Sequence, residues 1–364
     1  MLRQHLIGFL ALFAVSALGQ SLITVLEENG FTEYAALIQG EPLVAASSDL
    51  IIYAPTNAAL LADNGTLARR ATDRDLQKAK TQFNTVNRTA PKPRRPPTNK
   101  PPPAGGNGTR PVRHRDELVP SGSAFVTLLD DPEFANLGPG VNQSIVEKRA
   151  TASELPVVFS GLGAAVQVTG NDIPFDNGII RPVNGLFTLP ARASETLPFL
   201  GVDNFLAALN QTGVLAELDA RTGPITILAP DDKAFTFTTS TTNSTGSSTL
   251  TRDQLTALVK QHVLVDYLAY TPLLQDGDVY PTLAGGQVAV SVDGKGAVYL
   301  DGARILAGDA VITNGAVHTI SKVLGAPAPP APPATGAANS IIGQSWKALV
   351  GSAVGIMVAV AAAF

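Results

Sequence analysis

The chain repeats itself once, and that repetition limits its architecture more than any other feature. The stretch "DLIIYAPTNAAL" (49–60) matches "PITILAPDDKAF" (224–235). Each reads as a short β-branched strand, then Ala-Pro, a polar pair and a helix start. Further along, "NDIPFDNGIIRPVNGLFTLP" (171–190) matches "GDAVITNGAVHTISKVLGAP" (308–327). This sets Asp172 on Asp309, Asn177 on Asn314, Gly178 on Gly315 and Arg181 on His318. Two landmarks in the same order mean two copies, and a period this long makes them domains rather than turns of a solenoid.

The landmarks are spaced differently in the two copies. Pro55 to Asn177 is 122 positions, whereas Pro230 to Asn314 is 84. The first copy therefore carries about 38 extra residues, which surface loops tolerate at small entropic cost. The stretch "APKPRRPPTNKPPPAGGNGTRPVRHRDE" (90–117) lies within this insert. Nearly free of apolar side chains, it cannot bury enough surface to offset its ordering entropy, so an insert over about 68–117 is expected to be disordered. Arg69 to Arg115 holds thirteen Lys or Arg against two acids, half of the 26 basic residues in a chain of net charge −4. A basic disordered loop suits polyanions, while the chain as a whole exerts no global pull on nucleic acid.

Local patterns point to mixed α and β structure. "TRDQLTALVKQHVL" (251–264) places Leu255, Leu258, Val259 and His262 on one helical face, with Thr251 and Gln254 spaced as a capping box. "QVAVSVDGKGAVYLDG" alternates, turns at Asp-Gly and resumes as a hairpin. "NFLAALNQTGVLAELDA" reads as helix, turn, helix.

The ends read as processing signals. Residues 1–19 have a cationic start, an apolar run and small residues before Gln20, the pattern of a secretory signal peptide. "ALVGSAVGIMVAVAAAF" (348–364) is apolar to its last residue and follows small residues and a polar spacer. That places a glycosylphosphatidylinositol signal at 341–364, with Gly336 as the attachment residue, Ala337, Ala338 and Asn339 as its rivals, and a short tail-anchor helix as the alternative. Residues 327–340 then form a Pro/Ala-rich stalk. Six sequons, at Asn64, Asn87, Asn107, Asn142, Asn210 and Asn243, agree with a secretory route. With no cysteine, the chain has neither disulfides nor thiol chemistry, and its stability must come from packing.

Catalytic chemistry finds little support. Of four histidines, His5 lies in the signal and His114 in the insert, which leaves His262 and His318. A catalytic zinc needs three ligands, so no metal site is expected, nor a cofactor. No zinc-protease, nucleophile-elbow, phosphate-loop or dinucleotide motif occurs. His318 is expected at the edge of the core, its ring joining two segments, after a turn in which Gly315 tolerates positive φ. His262 invites the same structural reading.

The second copy resembles the fasciclin-type domain. "ITILAPDDKAF" is similar to that family's first segment. "LDGARILAGDAVITNGAVHTISKVLGAP" is similar to its second, with Asp309 and the signature at Asn314, Gly315 and His318. "LVKQHVL" looks like its Tyr-His segment, with Gln261 where Tyr is usual. In the first copy, "LITVLEENGFTEYAALIQG" and "IIYAPTNAAL" resemble the opening helices and first segment. Arg181 replaces His there, and no Tyr-His segment is recognisable. The resemblance implies an α+β fold of two tandem domains, 20–190 and 191–326, each a twisted β-wedge with packed helices. It implies a non-enzymatic adhesion protein at the cell surface, held at the outer face of the plasma membrane by its lipid or transferred to the wall. Partners would be surface or matrix proteins or wall polysaccharides, with no nucleic acid; a homo-oligomer is left open.

Overall fold

Strand β1 (Leu50–Pro55) and strand β8 (Gly178–Val183) run parallel, with Leu50 opposite Gly178 and Pro55 opposite Val183. The second half repeats this register: in β9 (Ile225–Pro230) and β15 (Gly315–Ile320), Ile225 lies opposite Gly315 and Pro230 opposite Ile320. The computed structural model that gives this register describes residues 21–39, 41–67, 74–97, 121–149, 154–235, 250–294 and 296–325. The signal peptide, stalk, Gly336, the terminal apolar segment, His5, His114, Asn107 and Asn243 lie outside the described residues.

Both glycines sit where strands approach too closely for a side chain. A Cβ on Gly315 would lie 1.8 Å from the Ile225 carbonyl oxygen, and one on Gly178 2.1 Å from that of Leu50. Close approach, not the positive φ expected of a turn, is what requires glycine at 315. The polar pair after Ala-Pro is used alike in both halves. Thr56 Oγ1 accepts from Ala59 N–H (3.3 Å) and Asp231 Oδ1 from Ala234 N–H (2.8 Å), each capping the helix that follows. Asn57 Oδ1 then accepts from Glu33 N–H at the start of α2 (Thr32–Ile38). Asp232 Oδ1 accepts from Asn204 N–H at the start of α7 (Asp203–Thr212). Each pair thus ties two helices to one strand end.

Around these pairs the sheets extend in order. The first is β2-β1-β8-β7, with β2 (Thr85–Asn87) and β7 (Ile173–Phe175). The second has seven strands, β10-β9-β15-β14-β13-β12-β11. It comprises β10 (Val263–Val265), β11 (Val279–Pro281), β12 (Gln287–Val292), β13 (Val298–Leu300) and β14 (Ala303–Ile312). A third sheet belongs to the first half by sequence: β3 (Ser121–Val126), β4 (Ser144–Arg149), β5 (Val157–Phe159) and β6 (Ala165–Gln167). The capping box at Thr251 forms on α9 (Arg252–Gln261), and the hairpin pairs Val290 with Leu300. Gly213, at φ +79, separates α7 from α8 (Val214–Ala220). The fold is therefore α+β.

Part of the segment expected to be disordered is ordered. Residues 74–87 form α5 (Arg74–Phe83) and β2, which pairs antiparallel with β1. The helix is polar in mean composition, yet Ala79, Gln82 and Phe83 lie on one buried face, and that face suffices to seat it. Residues 91–97 are also held: Arg95 pairs with the buried Asp278 of the second half at 2.8 Å.

The two halves also share a core. Ala124, Leu137 and Val146 pack with Leu268, Tyr270, Val311 and Ala316, so residues through 326 cluster as one unit. Two tandem domains were expected; their sheets are distinct, but an apolar cluster common to both joins them.

Candidate functional site

Asp309 and His318 sit in a buried network of the second half, and Arg181 and Asp172 in one of the first half that reaches the surface at Asp172, with β4 between the two. In the second half, His318 is fully buried rather than at the core edge. Its strand lies between β9 and β14 and is buried along almost its whole length, so no alternation in sequence marks a face. Nε2 lies 2.8 Å from the Ala269 carbonyl oxygen and so carries the proton; Nδ1 accepts from the Asp309 N–H at 3.0 Å. Burial holds the imidazole below its ordinary pKa against the opposing charge of Asp309. Asp309 has φ +73 and its carboxylate is fully buried. It accepts from Thr271 N–H (2.8 Å) and Thr271 Oγ1, and pairs with the Lys148 ammonium. Burial would raise its pKa, but the Lys148 ammonium and these hydrogen bonds together hold it below the usual value.

The first half answers with different chemistry at the same register. Arg181 forks onto Asp172, with Nε and Nη2 each 2.7 Å from a carboxylate oxygen, and its Nη1 reaches Glu147 at 2.6 Å. Tyr53 OH donates to the same Glu147 oxygen at 2.7 Å. The guanidinium is held firmly charged: burial opposes the charge, and Asp172, Tyr53 and Glu147 outweigh it. Glu147 and Lys148 are neighbours on β4. Successive strand residues face opposite ways, so Glu147 serves the first half and Lys148 the second. Gln143 adds to the join by donating from Nε2 to the carbonyls of Ile312 (3.0 Å) and Thr313 (3.2 Å). Sequence reasoning gave none of these three residues a part in joining the halves. Lys148 and Glu147 stand in the strand "SIVEKR", where an acid beside a base among apolar neighbours was the only signal.

His262 is equally buried. Its Nδ1 donates to the Leu258 carbonyl (2.8 Å) and its Nε2 accepts from Leu324 N–H (2.8 Å). Burial lowers its pKa to about 4. Its counterpart in the first half is Asn84, placed by the pairing of Ile52 with Thr85 and of Ile227 with Val263. Asn84 Nδ2 donates to Lys80 O (2.8 Å), four residues back, and Oδ1 accepts from Phe187 N–H (3.3 Å). Phe187 and Leu324 each stand nine residues after the shared glycine. Thus α5 and β2 occupy the place of the Tyr-His segment, with an amide doing what the imidazole does. Asn314, also in the expected motif, donates to Leu218 O (2.8 Å) and Arg221 O (2.9 Å), closing the end of α8. Gln261 accepts from Thr282 Oγ1 at 3.0 Å.

Both ring nitrogens of each histidine are thus bound to backbone, which leaves neither ring a free atom for proton transfer. Among the described residues no cluster of three His, Cys, Asp or Glu could hold a metal, and no helix is long and apolar enough to cross a membrane. The described sequon residues are scattered. Asn210 is exposed on α7, Asn64 falls in α4 (Asn57–Leu67), and Asn87 and Asn142 line one groove of about 980 Å³. That groove runs between segment 89–94, residues 126–128 and 140–142 of the first half, and Asp266 to Leu268 of the second.

Several known proteins are similar to this chain. The family described as Fasciclin domain matches residues 201–327. The fasciclin-like arabinogalactan protein CTB11 of Cercospora beticola is 28% identical over 198 residues, 54% of this chain and 51% of that protein. The fasciclin-like arabinogalactan protein elcF of Phaeosphaeria nodorum is 24% identical over 209 residues, 57% and 63% of the two. One from Arthroderma benhamiae is 27% identical over 213 residues, 58% and 48%. The chain spans about half to just under two thirds of the length of these relatives. A solved FAS1 domain pair from the insect cell adhesion molecule fasciclin I covers 82% of this chain and 97% of itself, at 14% identity and a TM-score of 0.36. Asn314, Gly315 and His318 lie inside the segment, residues 201–327, that matches the Fasciclin domain.

Proposed function

We propose that the protein is a non-enzymatic, extracellular adhesion protein built from two fasciclin-type modules and held at the cell surface by a lipid anchor at Gly336. The fasciclin domain at 201–327 is the observation that carries this reading. Three things support it further: relatives named fasciclin-like arabinogalactan proteins, the first half's matching strand register, and ring nitrogens of His262 and His318 that are all engaged with backbone. His262 is sealed in the core, so contact with other cells falls to exposed surfaces rather than to that segment. Displaying the full chain on a non-adherent cell tests the proposal. Attachment to cells, matrix or wall material is expected, and no attachment to any of them overturns it.

A second reading, binding of wall polysaccharide through the basic insert, has its own observation. Lys92 and Arg94 are exposed, line the inter-half groove and have no ion pair among the described residues. Salt-sensitive binding that vanishes on deleting residues 90–115 would place the function there.

A further inference from the structure

We infer that the groove between the two halves is the seat of the chain's own N-linked glycan, rooted at Asn142. The inference rests on the extracellular reading above and goes beyond it by giving one modification a binding site.

Two sequon asparagines separated by a long stretch of sequence, Asn87 and Asn142, open onto one groove. Asn142 Nδ2, the atom that receives the sugar, donates to the Thr127 carbonyl at 3.0 Å. A glycosylated amide nitrogen keeps one hydrogen. With the sugar in place of the other hydrogen, the bond to Thr127 is kept and fixes the side chain at the groove wall. Val141 beside it lines the groove and is 46% exposed, an apolar side chain left bare by the protein alone. An N-acetylglucosamine core suits such a lining: its apolar ring face covers Val141 and packs on Tyr267, while its hydroxyl and acetamide groups meet Asn87 and Thr89. The groove volume, about 980 Å³, is at the upper end of the range typical of sites for small organic ligands.

Attachment precedes folding. Gln143 and Ser144 of the sequon are buried in the finished fold, where a transferase cannot read them. In the transfer, a bond forms between Asn142 Nδ2 and C1 of the first sugar. The glycosyl–phosphate bond of the lipid-diphosphate donor breaks, the diphosphate leaves, and the amide proton passes to solvent. Folding then brings Asp266 to Leu268 of the second half across the sugar. A seated glycan would also deny the groove to outside ligands.

The test is site-resolved glycan release from the full chain, secreted by a host that leaves glycans rich in mannose. Asn210, exposed on α7, is the internal comparator. On the native protein, endoglycosidase should release the Asn142 glycan about tenfold more slowly than the Asn210 glycan, because the sugar must first leave the groove. After denaturation the two rates should agree. The variant Tyr267→Ala should raise the native rate at Asn142 and leave Asn210 unchanged. Equal native rates, or an empty Asn142 beside an occupied Asn210, overturn the inference alone. A secreted chain without glycan at any sequon overturns it together with the sequon assignment. A chain that is never secreted overturns the extracellular reading as well.

Discussion

Asn84 and His262 occupy the same place in the two halves and make the same two hydrogen bonds with different side chains. One donates to the carbonyl four residues back; the other end accepts an amide from the segment after β8 or β15. At the neighbouring position the halves diverge. His318 is neutral and bound only to backbone, whereas Arg181 is a cation shared by two carboxylates. The lesson is that the fold requires a donor–acceptor bridge at the first position, and either residue provides it. At the second position it requires only that whatever is buried be satisfied, and β4 supplies the matching charge to each side.

The largest effect should come from breaking those charges. Asp309→Ala takes from the Lys148 ammonium the one carboxylate it pairs with among the described residues, and should cost about 3–5 kcal/mol in equilibrium unfolding. Glu147→Ala leaves Arg181 its fork on Asp172, so about 2 kcal/mol is expected. Equal costs would mean that the networks are not partnered as described.

Acid should separate the halves next. His262 is held neutral, at about 4 against about 6.5 when unfolded, so the unfolded chain binds its proton first. Its contribution is complete above pH ~6.5 and is lost as pH falls toward 4, up to about 3 kcal/mol. His318 is shifted in the same direction. Asn84 does not titrate. Hydrogen exchange should therefore show α9 and β10 loosening over this window before α5 and β2, and His262→Asn should flatten the dependence.

That substitution also sharpens the comparison at neutral pH. His262→Asn should cost about 1 kcal/mol, while His262→Leu, which leaves the Leu258 carbonyl and the Leu324 N–H unpaired, should cost about 2–3 kcal/mol. The smallest difference lies at the caps. Thr56→Ala and Asp231→Ala should each cost about 1 kcal/mol, with the charged Asp231 slightly the larger. Thermal or urea unfolding of the four variants checks both statements.

Whatever is local was legible in the sequence. The capping box at Thr251, the hairpin after Gln287, the helix pair around Gly213 and the repeated Ala-Pro landmark each depend on residues a few positions apart. What escaped is set across the chain. The counterpart of the Tyr-His segment was hidden because Asn84 replaces the histidine and Lys78 and Lys80 make its helix look like part of the basic insert. The burial of His318 was hidden because a strand covered on both sides shows no alternation. Glu147, Lys148 and Gln143 find their partners 34 to 170 positions away, beyond the reach of periodicity or spacing.

The central claim is that β4 makes two repeats into one unit. Hydrogen exchange across a urea series, read separately in β1 and β8 and in β9 and β15, tests it most directly. Sheet cores in both halves should report the same global unfolding free energy and the same midpoint. Two midpoints, with one sheet protected after the other has opened, would contradict the claim and make the halves independent domains.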